Sequence, residues 1–146
     1  DALTWERVPY DEAVFGGSTM NSVVAGGPGL VAVGTVDASA DHQGQLNAVV
    51  WTAVEGLTWV RVAVFGGPTG QTLGLGVVGG PGLVAIGSGV WVSSDGLTWN
   101  HVADWESCSI VYSVAAGGPG LVAVGSVGGG FCGPQQVGVW VSPPPG

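Results

Sequence analysis

The chain of 146 residues contains no lysine, and its only cations apart from histidine are Arg7 and Arg61. Charged residues make up 8% of the chain, against roughly 25% in an ordinary soluble domain. The net charge is −8. So few cations cannot neutralise many phosphates, which argues against nucleic acid and anionic membrane surfaces as partners. Long apolar runs are missing too. The longest, SVVAGGPGLVAVGTV, is interrupted by Gly-Gly-Pro-Gly, so membrane insertion as a helix is not expected. The opening DALTWERV has neither the basic region nor the apolar run of a secretory signal, and a signal removed beforehand is left open. No stripe of helical period persists anywhere. What the chain does have is 46% hydrophobic residues, 29 glycines and 7 tryptophans, enough for a core and, at this length, one domain. Scarce charge also suits a surface that other copies cover.

Nine residues recur almost unchanged: GGPGLVAVG at 26–34 and 117–125, and GGPGLVAIG at 79–87. A second motif follows, VWTAVEGLTWVRV at 50–62 and VWVSSDGLTWNHV at 90–102. Its back half opens the chain as DALTWERV, and its front half closes the chain as VWVSPPPG. Trp5, Trp59 and Trp99 are therefore equivalent, as are Trp51, Trp91 and Trp140. Three units cut from a plan of about 40 to 55 residues fill the sequence, the length of propeller blades. In each unit SVVAGG, LGVVGG or SVAAGG reads as a short strand. Pro28-Gly29, Pro81-Gly82 and Pro119-Gly120 suit the two corners of a type II turn. LVAVG or LVAIG is the second strand, AVVWTAV or GVWVS the third, and LTWVRV or LTWNHV the fourth, entered through a turn at Glu55-Gly56 or Asp95-Gly96.

The expected fold is all-β, of propeller type, with three four-stranded antiparallel blades in one repeat domain spanning 1–146. The blades cover about 20–62, 71–102 and 109–142, and the last lacks its fourth strand. Residues 1–8 supply a strand of that kind. Propellers typically need four to eight blades to close, so the strand at 3–8 is expected to complete the last blade of another copy. The assembly residues are Leu3, Trp5 and Arg7 on one side and Val137, Val139 and Trp140 on the other. Such a head-to-tail contact gives a closed homodimer ring or an open filament. A segment of a longer propeller is the remaining alternative.

SSDGLTW at 93–99 resembles a shortened Asp-box, S-x-D-x-G-x-T-W, and the whole chain resembles the Asp-box (BNR-like) repeats of secreted bacterial β-propellers. AVFGG at 13–17 and 63–67 belongs to the same pattern. The resemblance implies the fold and an extracellular or cell-surface location. Glu55 stands in the aspartate place of the first full copy, and Ala2 in the glycine place after Asp1, so the box itself is expected to be structural: a carboxylate taking turn N–H bonds beside a packed tryptophan. Sialidases with this box grip a carboxylate with an arginine cluster. Here Arg7, Arg61 and His101 fall at equivalent places after their tryptophans, which suits a repeated cation-on-indole stack better. No nucleophile elbow, catalytic triad order or phosphate loop is present. Catalytic residues are not expected. Glycoside hydrolysis by a carboxylate pair such as Asp11-Glu12 or Asp104 with Glu106 is the residual enzymatic alternative.

Strand order puts the Pro-Gly and Asp-Gly turns at one end of the blades and the divergent loops at the other. Recognition usually sits on such loops. The candidate ligand-binding residues are Tyr10, Asp11, Asp37, Asp41, His42, Trp105, Glu106 and Phe131, for a glycan or a peptide. Phe15 and Phe65 repeat in place and read as plugs between blades. No cofactor is expected. DASADHQG lacks calcium-loop spacing, two histidines are too few for zinc, and weak calcium binding is left open. Cys108 and Cys132 fall at the divergent end of the same unit. A disulfide there closes a loop of about 25 residues, worth about 3 kcal/mol in the chain-entropy model. Two reduced thiols are the alternative. The absence of lysine and the resemblance to secreted proteins favour the bridge and export.

Overall fold

The computed structural model describes residues 3–37, 46–65, 76–78, 82–87, 89–117 and 120–142. The chain is all-β, with three antiparallel sheets. The first runs β1 (Ser18–Gly26), β2 (Gly29–Asp37), β3 (Leu46–Ala53) and β4 (Trp59–Phe65), side by side in chain order. The second has the same order in β5 (Gly76–Val78), β6 (Leu83–Ile86), β7 (Gly89–Ser93) and β8 (Asn100–Asp104). Among the described residues the third has three strands, β9 (Ser109–Gly117), β10 (Gly120–Val127) and β11 (Gln136–Ser142), with β11 at its edge. The only α-helical turn among the described residues is α1 (Glu12–Phe15), capped by Asp11 through the Ala13 N–H at 3.0 Å.

The recurring nine residues do two local jobs. Gly26 pairs with Gly29, so the two-residue hairpin loop is Gly27-Pro28, with Gly27 at φ 56°. The expectation of a turn centred on Pro28-Gly29 is therefore corrected by one residue. A positive φ is wanted at the first corner because only primed turns match the twist of the flanking strands, and the proline ring then holds the second corner at negative φ. Gly117 pairs with Gly120 in the same way. The closing glycine sits opposite a bulge. Asn21 is the extra residue facing Gly34, and Tyr112 the extra residue facing Gly125. A Cβ at Gly34 would overlap the Thr19 carbonyl, and one at Gly125 the Ile110 carbonyl. Gly34→Ala and Gly125→Ala are each expected to lower stability by about 1–3 kcal/mol, the cost of overpacking, measured by urea denaturation.

Each sheet has two unlike faces. One carries the β3, β7 or β11 tryptophan together with alternate residues such as Ala32, Ala85 and Ala123, and the other carries mainly valines. The valine face of the first sheet (Val31, Val33, Val50) packs on the tryptophan face of the second (Leu83, Ala85, Trp91). Ile86, on the valine face of the second sheet, packs against Val111, Ala123 and Trp140 of the third. The first strands of the sheets, β1, β5 and β9, touch in series. Sheets thus stack in one repeated sense. The tryptophan face of the first sheet holds buried Ala32, Val36, Val49 and Trp51, covered by Val14, Phe15 and Trp59.

Candidate functional site

The two ends of the sheets separate as their turn chemistry requires. The Gly27-Pro28 hairpin of the first sheet abuts the Asp95-Gly96 turn of the second: a Cβ on Gly96 would lie 3.1 Å from Pro28 Cδ. In that turn Asp95 Oδ1 accepts the Leu97 and Thr98 N–H groups, each at 2.8 Å, and Ser93 Oγ accepts from Gly96 N–H at 2.8 Å. Trp99 Nε1 donates to the Gly96 carbonyl at 3.1 Å, as Trp59 does to Gly56 at 2.9 Å. The first sheet keeps the glycine and the tryptophan of this turn, with Ala53 and Glu55 where the second has Ser93 and Asp95. The N–H groups of Thr98 and then Leu97 hold the Asp95 carboxyl below its ordinary value of 3.8. A depressed folded value means a stabilisation that is present above the unfolded value and lost as pH falls through the folded one. The melting temperature is therefore expected to drop on acidification below pH 3.8. Asp95→Asn is expected to melt lower at neutral pH and to show a smaller acid-induced drop, as read by thermal circular dichroism.

At the other end Cys108 and Cys132 form a disulfide, with Cα atoms 6.2 Å apart, inside the usual span for such a bond. It ties the segment before β9 to the β10–β11 hairpin, where Gly128 N–H also donates to the Cys108 carbonyl at 3.0 Å. Phe131 stands fully exposed in a short 3-10 turn of that hairpin.

The candidate ligand residues do not form one site. Tyr10 and Asp11 border a groove of about 470 Å³ that also includes Phe15, Leu57 and Trp59. Their polar groups are turned to local work: Asp11 caps α1, and the Tyr10 hydroxyl donates to Glu12 Oε2, which raises the phenol above 10.0. Asp37 ends β2, and its N–H donates to the Gly17 carbonyl at 3.0 Å. Asp41 and His42 lie outside the described residues. Trp105 and Glu106 come together elsewhere, in a cleft of about 610 Å³ between the second and third sheets. Val84, Ile86, Val90 and Val102 form one wall, Leu121, Ala123 and Trp140 the other, and Asp104 lies with Glu106. Trp105 packs against Trp140 with ring centroids 5.5 Å apart and ring planes tilted by 53°. Its Nε1 is buried and has no hydrogen-bond partner among the described residues. Phe15 has the equivalent place before β1 and packs against the cluster around Trp51. The side chain of Phe65, the third of these residues, lies outside the described ones.

In place of the expected cation-on-indole stack the described residues show two different contacts. His101 is opposite Trp91 on the neighbouring strand, with ring centroids 5.3 Å apart, and its Nε2 lies 3.0 Å from Asp104 Oδ1. Arg61 is likewise opposite Trp51, but its guanidinium donates to the carbonyls of Val14 (2.9 Å) and Gly16 (3.2 Å). Trp51 Nε1 shares the Val14 carbonyl at 2.8 Å. The arginine thus pins the segment before β1 onto its own sheet.

Comparisons with protein-family models, with curated proteins and with solved structures give no match. The site must be read from its own geometry.

The residues named for assembly show an asymmetry. Residues 3–10 belong to no sheet, although 3–8 repeat the sequence of β4 and β8. Trp5 is 90% exposed, whereas its equivalents Trp59 and Trp99 are half-buried and packed on a core cluster. On the valine face of the third sheet Val137 is 85%, Val139 60% and Val141 54% exposed. The equivalent residues of the first sheet, Ala48, Val50 and Thr52, are 5%, 1% and 7% exposed, because the second sheet lies beside them. Among the described residues no group of three or more His, Cys, Asp or Glu is placed to hold a metal ion. No helix there is long and apolar enough to cross a membrane.

Proposed function

We propose that this chain is a self-assembling module of β-propeller type, in which each three-stranded last blade is completed by residues 3–8 of another copy, and that it serves as a non-enzymatic extracellular scaffold or adhesive. The reading rests above all on the exposed valines of β11. They repeat a face that the first sheet buries almost completely, and an apolar sheet face with an open edge strand beside it calls for a partner. The stacking of valine face on tryptophan face gives the chain unlike ends, so copies join head to tail, into a closed ring or a running filament. Two copies supply six blades, within the usual four to eight. The Asp-box resemblance supports the propeller form, and the disulfide supports an oxidising, extracellular setting.

Negative-stain electron microscopy tests this reading. Rings or fibres of uniform width are expected from the purified chain, and their absence at concentrations well above micromolar would refute it. A second reading, recognition of a glycan or peptide on the divergent face, is favoured by one feature: Phe131 is fully exposed beside a disulfide that fixes its hairpin. Exposed aromatics on rigid loops are common contact residues.

A further inference from the structure

The cleft between the second and third sheets has the position that an outer strand would border. In the first sheet β4 sets Trp59 opposite Ala53 and Arg61 opposite Trp51, so both side chains lie on the tryptophan face. In the second, β8 sets His101 opposite Trp91. The third sheet has Ser142 and Trp140 at the matching positions of β11, and among the described residues no strand beyond them. Both residues line the cleft.

Building on the self-assembly reading above, we infer that this cleft is the seat for residues 3–8 of a second copy, in the register that places Trp5 opposite Ser142 and Arg7 opposite Trp140. The order of residue types is the first ground. LTWERV repeats LTWVRV of the first sheet with one change, and β4 shows where the residues at Trp59, Val60 and Arg61 of that run go. The second ground is chemical fit. The cleft is apolar along its walls and holds Asp104 and Glu106, while the incoming strand carries an indole and one of the two arginines of the chain. In the first sheet Arg61 binds carbonyls of the segment before β1, and Asp104 and Glu106 stand in or beside the corresponding segment before β9. Arg7 therefore meets a segment of the same kind that carries two carboxylates, of which Asp104 is shared with His101, a charge-assisted version of the Arg61 contact.

Engineered cysteine pairs test the register. Glu6 and Val141 match the Val60–Thr52 pair of the first sheet and are both exposed, so neither substitution disturbs the fold. Under mild oxidation, Glu6→Cys with Val141→Cys is expected to give covalent dimers or a ladder on non-reducing gels. Glu6→Cys with Val139→Cys, two residues out of step, is expected to cross-link at least about tenfold more slowly. Arg7→Glu is expected to weaken assembly at least about tenfold in sedimentation, through repulsion by Asp104 and Glu106. Equal or preferential cross-linking of the Val139 pair overturns the register while assembly stands. So does unchanged assembly of Arg7→Glu. A Glu6–Val141 cross-link formed within a single monomer, or a chain that never assembles, removes the self-assembly reading and the seat together.

Discussion

Removing residues 1–8 leaves the chain monomeric at every concentration where the intact chain is assembled. The effect is expected to be complete, because the deletion takes away a whole strand and its side chains, Trp5 and Arg7 among them. A six-residue strand on an open edge brings several ladder hydrogen bonds, each worth about 0.5–1.5 kcal/mol net. It also buries a tryptophan that is now 90% exposed. Burial of one large side chain contributes about 1.5–3 kcal/mol more. The same deletion should leave the far-ultraviolet circular dichroism almost unchanged, since residues 3–8 belong to no sheet of the isolated chain. Loss of assembly with retained sheet content separates a joint from a part of the core. Size-exclusion chromatography with light scattering reads the first quantity and circular dichroism the second.

Trp51→Ala is expected to do the opposite and attack the fold. Trp51 is the largest side chain with no exposure at all, and it packs with Ala32, Val36 and Val49 under Val14 and Phe15. Truncating a buried tryptophan costs about 3–5 kcal/mol, a large share of the roughly 5–15 kcal/mol that holds a domain together. The Val14 carbonyl also loses the indole N–H and keeps only Arg61 as donor. Trp51→Phe retains most of the volume and forfeits that bond, so about 1 kcal/mol is expected from the hydrogen bond. Urea denaturation of the two variants orders them. Trp5→Ala, in contrast, should leave the unfolding of the monomer almost untouched and weaken assembly. Two tryptophans of the same repeat thus have opposite signatures.

The regular part of the fold was legible because it is written in repeats. GGPGLVAVG marks a hairpin, and the tryptophans mark the third strands and the entry to the fourth, so strand order follows from copying one unit along the chain. What escaped the reading was set by interactions between strands. Pro28-Gly29 suits a type II turn on residue preference alone, but the pairing of Gly26 with Gly29 moves the turn back by one residue and puts Gly27 at positive φ. The bulges at Asn21 and Tyr112 explain the closing glycine of the motif, yet nothing in a single strand announces them. The helical turn α1 is four residues long, too short for any periodicity, and its cap Asp11 looked like a ligand contact.

The candidate site was read less completely for the same reason. Trp105 and Glu106 were picked out by divergence between copies, and they do line the largest cleft described above. The wall opposite them consists of Val84, Ile86 and Val90, ordinary strand residues that acquire a role only when one sheet stacks on the next. The sequence places Arg61 only relative to Trp59 and suggests an indole stack, whereas the fold sets it opposite Trp51 and sends its hydrogen bonds to backbone carbonyls of the segment before β1. That correction points to what Arg7 would grip in the cleft.

Sedimentation velocity of the intact, disulfide-bonded chain across a hundredfold range of concentration puts the central claim to its most direct test. The account predicts a species of at least twice 14.4 kDa, or a series that grows with concentration, dissociating when residues 1–8 are removed. A single boundary at 14.4 kDa throughout that range would contradict it.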